Sequence, residues 1–240
     1  MIVCIIGVLV LIICIWMVYN DYRPRPIHIK SNSALVSHKY QGDKRFYPVD
    51  VDNAEMYLIN NFLSRQECDD IISICQFNPS TTVSDASEKV VDIVHPNRTS
   101  WSCFFEKTMK HPYYLHIENK MKQYLKWEPH SEAMQAQRYK ENQHYLYHYD
   151  FFQENSDHVT KGSGQRTYTF MVYLTDVKEG GDTDFEVLGV RVKPKRGLAV
   201  VWNNLYNNGK PNQHMRHAGL PPRNGASKII LTKWFRQRST

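Results

Sequence analysis

The chain has 240 residues, 42% of them hydrophobic and 12% aromatic, which suits one domain with a short arm and excludes disorder. Eleven Gly and eleven Pro exclude a collagenous or low-complexity chain, and five Cys exclude a scaffold built on disulfides. Thirty Lys plus Arg against 24 Asp plus Glu leave a formal charge of +6, compatible with an anionic or membrane-surface partner. No basic stripe with interleaved aromatics accompanies that charge, so no nucleic-acid partner is expected.

Met1 to Tyr19 carry no charged side chain and are nearly all aliphatic, Met, Cys or aromatic. At helical rise such a run just spans the hydrocarbon core of a bilayer, and Trp16 and Tyr19 sit near one end, where amphipathic rings favour the interface. Residues 1–20 are therefore predicted to be an apolar membrane-anchor segment, with a cleaved signal peptide as the competing reading. No basic stretch precedes the run and no small-x-small cleavage site follows it. Arg23, Arg25 and Lys30 come next, which by the positive-inside rule favours a cytoplasmic C-terminal domain. The other expectation is an endoplasmic-reticulum membrane with the domain in the lumen, where the Asn97-Arg98-Thr99 sequon would matter. Residues 21–50 are polar and Pro-containing and read as a linker followed by the first strand; residues 51–240 form the domain proper.

Ser64-Arg65-Gln66-Glu67 is a capping box, and Cys68, Ile71, Ile72 and Cys75 follow at helical spacing, which puts the two Cys on one helix face. From Phe77 to Trp101 the chain is largely polar, contains Pro79 and Pro96, and is expected to be mostly loop. A second helix is predicted from Pro112 to about Leu125. After Glu132 the pattern alternates, with Met134 and Ala136 on one face and Gln135 and Gln137 on the other. Strands are then expected at Tyr145 to Asp150, Arg166 to Leu174, Val187 to Val192, Leu198 to Trp202 and Ile229 to Phe235, with turns at Gly180-Gly181 and Pro194 to Gly197. Two helices followed by many short strands predict an α+β fold, a double-stranded β-helix (jelly roll) core braced by N-terminal helices.

His148 and Asp150 are two apart in the expected strand, so their side chains leave the same face and can reach one metal ion. His217 is the best candidate for a third ligand. Two His and one carboxylate on one side of an ion leave further coordination positions open, as in non-haem Fe(II) oxygenases. Lys228 starts the run Ile229-Ile230-Leu231-Thr232-Lys233-Trp234; facing inward, its ammonium needs a buried anion, and a dicarboxylate co-substrate would supply one.

From about Tyr139 to Trp234 the chain resembles the 2-oxoglutarate- and Fe(II)-dependent dioxygenases, specifically the collagen-type prolyl 4-hydroxylases in their short monomeric plant, algal and viral forms. The strings that carry the likeness are Tyr145-Leu146-Tyr147-His148-Tyr149-Asp150-Phe151-Phe152, Gln165-Arg166-Thr167, Glu179-Gly180-Gly181-Asp182-Thr183-Asp184-Phe185, His217-Ala218-Gly219-Leu220-Pro221, and Lys228 with Lys233-Trp234. The resemblance implies that His148, Asp150 and His217 bind Fe(II), and that Lys228 pairs with the distal carboxylate of 2-oxoglutarate, with Tyr139 and Thr183 hydrogen-bonding the same molecule. It implies that Tyr145, Arg166 and Trp234 line a peptide groove, and that the loop from Val83 to Trp101 covers the substrate. The implied activity is hydroxylation of proline at C4 in proline-rich or collagen-like peptides, with O2 consumed, succinate and CO2 released and ascorbate as reductant. A monomer tethered to a membrane is expected. Alternatives are a hydroxylase of the same chemistry with another protein target, or a non-catalytic jelly-roll binding module.

Overall fold

The computed structural model describes residues 46–49, 54–80, 96–105, 112–124, 130–206 and 208–237. The apolar run of residues 1–20, the linker up to residue 45 and most of the expected covering loop lie outside the described residues. Among the described residues no helix is long and apolar enough to cross a membrane.

Strand β1 (Phe46–Val49) pairs with β2 (Met56–Ile59), and helix α1 (Arg65–Ser73) follows. Ser64 opens α1 with the predicted capping box: its hydroxyl accepts from the Glu67 amide and the Glu67 carboxylate accepts from the Ser64 amide. Cys68 and Ile71 are its buried residues. The expectation that Cys75 shares this helix is corrected, because α1 ends at Ser73 with Ile74 as its cap. Asn78 precedes Pro79, which disfavours helical geometry at Asn78, and these two residues form the short strand β3 (Asn78–Pro79). Cys75 instead faces Cys103 in β4 (Trp101–Phe105), and both thiols are free.

Helix α2 (Pro112–Lys122) leads to the short strand β5 (His130–Ser131), then β6 (Met134–Tyr139) and β7 (Tyr145–His148). A short helix α3 (Asp157–Thr160) precedes β8 (Arg166–Tyr173). Next come β9 (Thr183–Phe185), β10 (Val190–Val192), β11 (Ala199–Asn203), β12 (His217–Gly219) and β13 (Lys228–Arg236). The expected strand from Val187 to Val192 is therefore shorter at its start. Residues 186–189 form a turn closed by Gly189, whose φ of 61° suits glycine and whose amide donates to the Glu186 carbonyl.

Two antiparallel sheets result. The larger runs β1-β2-β11-β8-β13-β6-β4-β3, with β5 attached to β13; the smaller runs β10-β9-β12-β7. Strands β8, β11 and β13 are buried on both faces, which explains their near-continuous apolar sequence. Phe170, Val172, Ala199, Val201, Ile229 and Leu231 point to one side, where Phe62, Ile71, Ile117, Met121 and Tyr124 cover the sheet. Met171, Tyr173, Val200, Trp202 and Ile230 point to the other, into the space shared with Phe185 and Val192 of the smaller sheet. The alternation sorts the two lysines of β13. Lys233 faces the helices, where Glu118 of α2 holds its ammonium at 2.7 Å. Lys228 faces the gap between the sheets.

Candidate active site

The mouth of the jelly roll is built by the smaller sheet. His217 in β12 and His148 in β7 are cross-strand partners, so their rings emerge side by side with centroids 4.3 Å apart. Each ring donates through Nδ1 to the carbonyl two residues earlier, His148 to Leu146 at 2.8 Å and His217 to Met215 at 2.9 Å. A carbonyl only accepts, so Nδ1 carries the proton and Nε2 presents its lone pair. Asp150 differs from its sequence reading, because β7 ends at His148 and Asp150 lies just beyond the strand. Its carboxylate nonetheless converges on the two rings, with Oδ1 3.7 Å from His148 Nε2 and Oδ2 3.8 Å from His217 Nε2. The three ligand atoms lie within 4.8 Å of one another.

The electrostatics suit a cation. Burial, reinforced by the neighbouring His217, pushes the His148 imidazole down to about 3, so it is neutral at pH 7. Burial alone would raise Asp150, but His217, His148, Arg166 and the Thr169 hydroxyl outweigh it and hold the carboxyl below its ordinary value. A neutral imidazole and a carboxylate are the protonation states metal ligands need. Two imidazoles and one carboxylate converging with Nδ1 already occupied form the donor set of a facial triad, and it fits Fe(II).

Lys228 lies deeper in the same cleft and is 1% exposed. Its ammonium donates to the Leu220 carbonyl at 3.3 Å and sits 4.5 Å from the centre of the Tyr139 ring, its cross-strand partner. Among the described residues no carboxylate forms a salt bridge with it, and burial lowers it to about 7, with Asp182 acting in the opposite direction. A buried ammonium of this kind fits one end of a dicarboxylate, and the triad fits the other. Gly219 lines the same cleft, and a Cβ there would only touch Lys228 Nζ at 3.4 Å and the Tyr139 ring at 3.7 Å. Tyr139 lines the cleft with its phenol pushed up to about 12 by burial, and so remains a hydrogen-bond donor. The Thr183 hydroxyl also lines it, but accepts from Tyr173 at 2.7 Å.

Of the three predicted groove residues, Tyr145 stacks on His148 with ring centroids 3.5 Å apart. Trp234 borders the cleft, and its buried indole N–H has no partner among the described residues. Arg166 lies over the Trp234 ring at 3.9 Å but commits Nε and one terminal nitrogen to Glu132, at 2.7 and 2.6 Å. Sequence reasoning missed Glu132. It also read Arg98 only as the middle of a sequon, whereas Arg98 is buried beside the site, 5.1 Å from the Tyr145 ring centre. A basic residue amid small polar ones, ahead of an apolar strand, was the available signal.

The triad lies at the smaller sheet and the buried lysine, with no carboxylate salt bridge among the described residues, on the larger, an arrangement that fits Fe(II) together with a 2-oxoacid. Residues 134–236 match the model of the 2OG-Fe(II) oxygenase superfamily. Prolyl 4-hydroxylase subunit alpha-2 of Gallus gallus is 37% identical over 108 residues, 45% of this chain and 20% of that protein. The chain thus spans about a fifth of the length of that relative. Prolyl 4-hydroxylase 2 of Arabidopsis thaliana is 28% identical over 201 residues, 75% of this chain and 66% of that protein. The viral collagen prolyl hydroxylase of Paramecium bursaria Chlorella virus-1, solved as its 2OG complex, superposes with a TM-score of 0.60 at 28% identity, covering 75% of this chain and 95% of that one.

Proposed function

We propose that the chain is a peptidyl-proline 4-hydroxylase that couples hydroxylation of proline C4 to oxidation of 2-oxoglutarate by O2, releasing succinate and CO2. The observation that carries the reading is one cleft with the His148-Asp150-His217 triad near its mouth and the buried Lys228 ammonium deeper within. The relatives named as prolyl 4-hydroxylases and collagen prolyl hydroxylase support the choice of substrate.

Fe(II) held by the triad supplies oxidising power that no side-chain acid or base has toward an unactivated C–H bond. The chain's own residues do the rest. Lys228, Tyr139 and Thr183 would hold the distal carboxylate of 2-oxoglutarate. Tyr145 and Trp234 offer flat apolar faces to a polyproline II peptide, whose preset shape reduces the entropy lost on binding. Arg166, stacked on Trp234, borders that face and offers its remaining N–H groups to peptide carbonyls. The buried walls formed by Met171, Trp202 and Ile230 keep bulk water from the reacting centre. Ascorbate, the reductant that the resemblance implies, would keep a metal held by His148, Asp150 and His217 as Fe(II).

The experiment is to supply polyproline and collagen-like peptides with Fe(II), 2-oxoglutarate and O2. The expected result is a mass gain of one oxygen atom on proline with matching succinate; succinate without peptide oxidation across the panel removes the substrate claim. The apolar segment of residues 1–20 is proposed as a membrane anchor for residues 51–240. Alkaline extraction that releases the full-length chain from membranes would remove that part.

A further inference from the structure

The carboxylate of Asp150 is gripped from behind. Thr169 in β8, fully buried, places its hydroxyl 2.6 Å from Asp150 Oδ2. Asn204, 1% exposed, places Nδ2 2.9 Å from that same hydroxyl oxygen. Chemistry fixes the direction of this chain. A carboxylate only accepts and an amide NH2 only donates, so the Thr169 O–H donates to Asp150 while its oxygen accepts from Asn204. A hydroxyl polarised in this way is a stronger donor, the more so in a dry interior. Asn204 is itself pinned by its backbone, its amide donating to the Thr167 carbonyl at 2.8 Å and its carbonyl accepting from Asn212 at 2.9 Å.

With Oδ2 engaged, Oδ1, on the side of His148 Nε2, has no hydrogen-bond donor among the described residues. The distinction matters at a six-coordinate ion. Two imidazoles and a carboxylate bound through one oxygen leave three positions, whereas a carboxylate bound through both leaves two. A 2-oxoacid that chelates takes two, so dioxygen needs the third.

We propose that Thr169, backed by Asn204, is a positioning residue that confines Asp150 to ligation through one oxygen and thereby keeps the third exchangeable position at the metal open. The inference rests on the 2-oxoglutarate/Fe(II) reading of the site and is independent of which substrate is hydroxylated.

The test uses the full-length chain and its Thr169→Val, Thr169→Ser and Asn204→Ala variants. Each is titrated anaerobically with Fe(II), and separately with Co(II), whose visible absorption reports the ligand environment. Thr169→Val preserves shape but not the hydroxyl; it is expected to weaken Fe(II) binding by about tenfold or more and to change the Co(II) spectrum as the second carboxylate oxygen replaces a water ligand. Thr169→Ser restores the hydroxyl and is expected to return affinity to within about twofold of wild type, with the wild-type spectrum. Asn204→Ala should shift both readouts in the same direction by less. If Thr169→Val does not fold, Asn204→Ala decides by the same two measurements. Unchanged affinity and spectrum in the folded variants overturn the inference, as does a Ser variant that fails to rescue. Wild-type protein that binds metal and 2-oxoglutarate but oxidises no proline peptide removes the proposed substrate and leaves this inference standing.

Discussion

His217 and His148 sit directly opposite each other on β12 and β7, and their Nε2 atoms share the two oxygens of one Asp150 carboxylate. Side chains alternate strictly along a strand, so a one-residue slip of β12 would carry His217 to the opposite face and leave two ligands instead of three. The pairing of β12 with β9 on its other side, through His217 and Phe185, locks that register. His217→Ala is expected to abolish Fe(II)-dependent 2-oxoglutarate turnover, a loss beyond the roughly 10–100-fold caused by changes around metal ligands. Circular dichroism should stay that of wild type, because the strand pairing is made by backbone. Retained succinate production would remove the ligand assignment.

Lys228 makes a pH-dependent prediction. Burial depresses its folded-state value to about 7, while the unfolded chain keeps the ordinary lysine value of about 10.4. Between those values the unfolded state binds more protons, so stability of the metal-free, co-substrate-free protein rises with pH across that window. Below it the cost of the buried ammonium is fully present. Lys228→Met is expected to raise the melting temperature at pH 6.5 by about 2–4 °C, equivalent to ~1 kcal/mol in a domain of this size. It should also weaken 2-oxoglutarate binding on the order of 10–100-fold through loss of a charged contact. In wild type, affinity for 2-oxoglutarate should fall about tenfold per pH unit above pH 7.5, because binding then requires proton uptake. Calorimetric titration at several pH values measures this, and a flat profile would show that Lys228 does not meet the carboxylate.

What the sequence made legible follows from which signals are local. The capping box at Ser64, the switch from helical to alternating pattern after Glu132, and the inward parity of Lys228 each depend on a few neighbouring residues, and the structure shows all three. The turn that shortens the expected strand at Val187 was hidden because Val-Leu-Gly-Val reads as apolar strand, while the deciding factor is the left-handed backbone at Gly189. Cys75 followed helical spacing, but the helix ends at Ser73 and Cys75 meets Cys103 of β4, a partner far away in the chain. Partners far apart in the chain were out of reach: Glu132 with Arg166, Thr169 with Asp150, and Arg98 with Tyr145 meet only once the strands are ordered.

Gly197 closes the turn into β11 under two constraints at once. Its φ is 79°, and a Cβ there would lie 2.2 Å from the Leu63 carbonyl oxygen. That carbonyl precedes Ser64, the cap of α1, and the Leu63 amide donates to the Gly197 carbonyl at 3.2 Å, so the turn anchors the helix to the sheet. Gly197→Ala is expected to cost about 2–3 kcal/mol of stability, since backbone strain and a steric clash add. Urea denaturation measures the loss; a midpoint equal to that of wild type would mean the turn relaxes without disturbing α1.

Glu132 is the most connected acid beside the proposed peptide groove. It accepts two hydrogen bonds from Arg166 and one from Arg236 at 2.9 Å, and Arg236 is also tied to the Gly164 carbonyl. Burial alone would raise its carboxyl, but the two guanidinium groups outweigh that and hold it below the usual carboxylate range. A depressed carboxylate contributes stability that is fully present above the unfolded value of about 4.3 and is lost as pH falls through the folded value. Glu132→Ala leaves two partly buried guanidinium groups uncompensated, an expected loss of about 3 kcal/mol, at the lower end for such sites because water reaches Arg166. Freed from Glu132, Arg166 would also leave the face of Trp234, so the KM for a proline-rich peptide should rise severalfold while that for 2-oxoglutarate stays within about twofold. Parallel increases in both constants would place the damage in the whole cleft and remove Arg166 from the peptide groove.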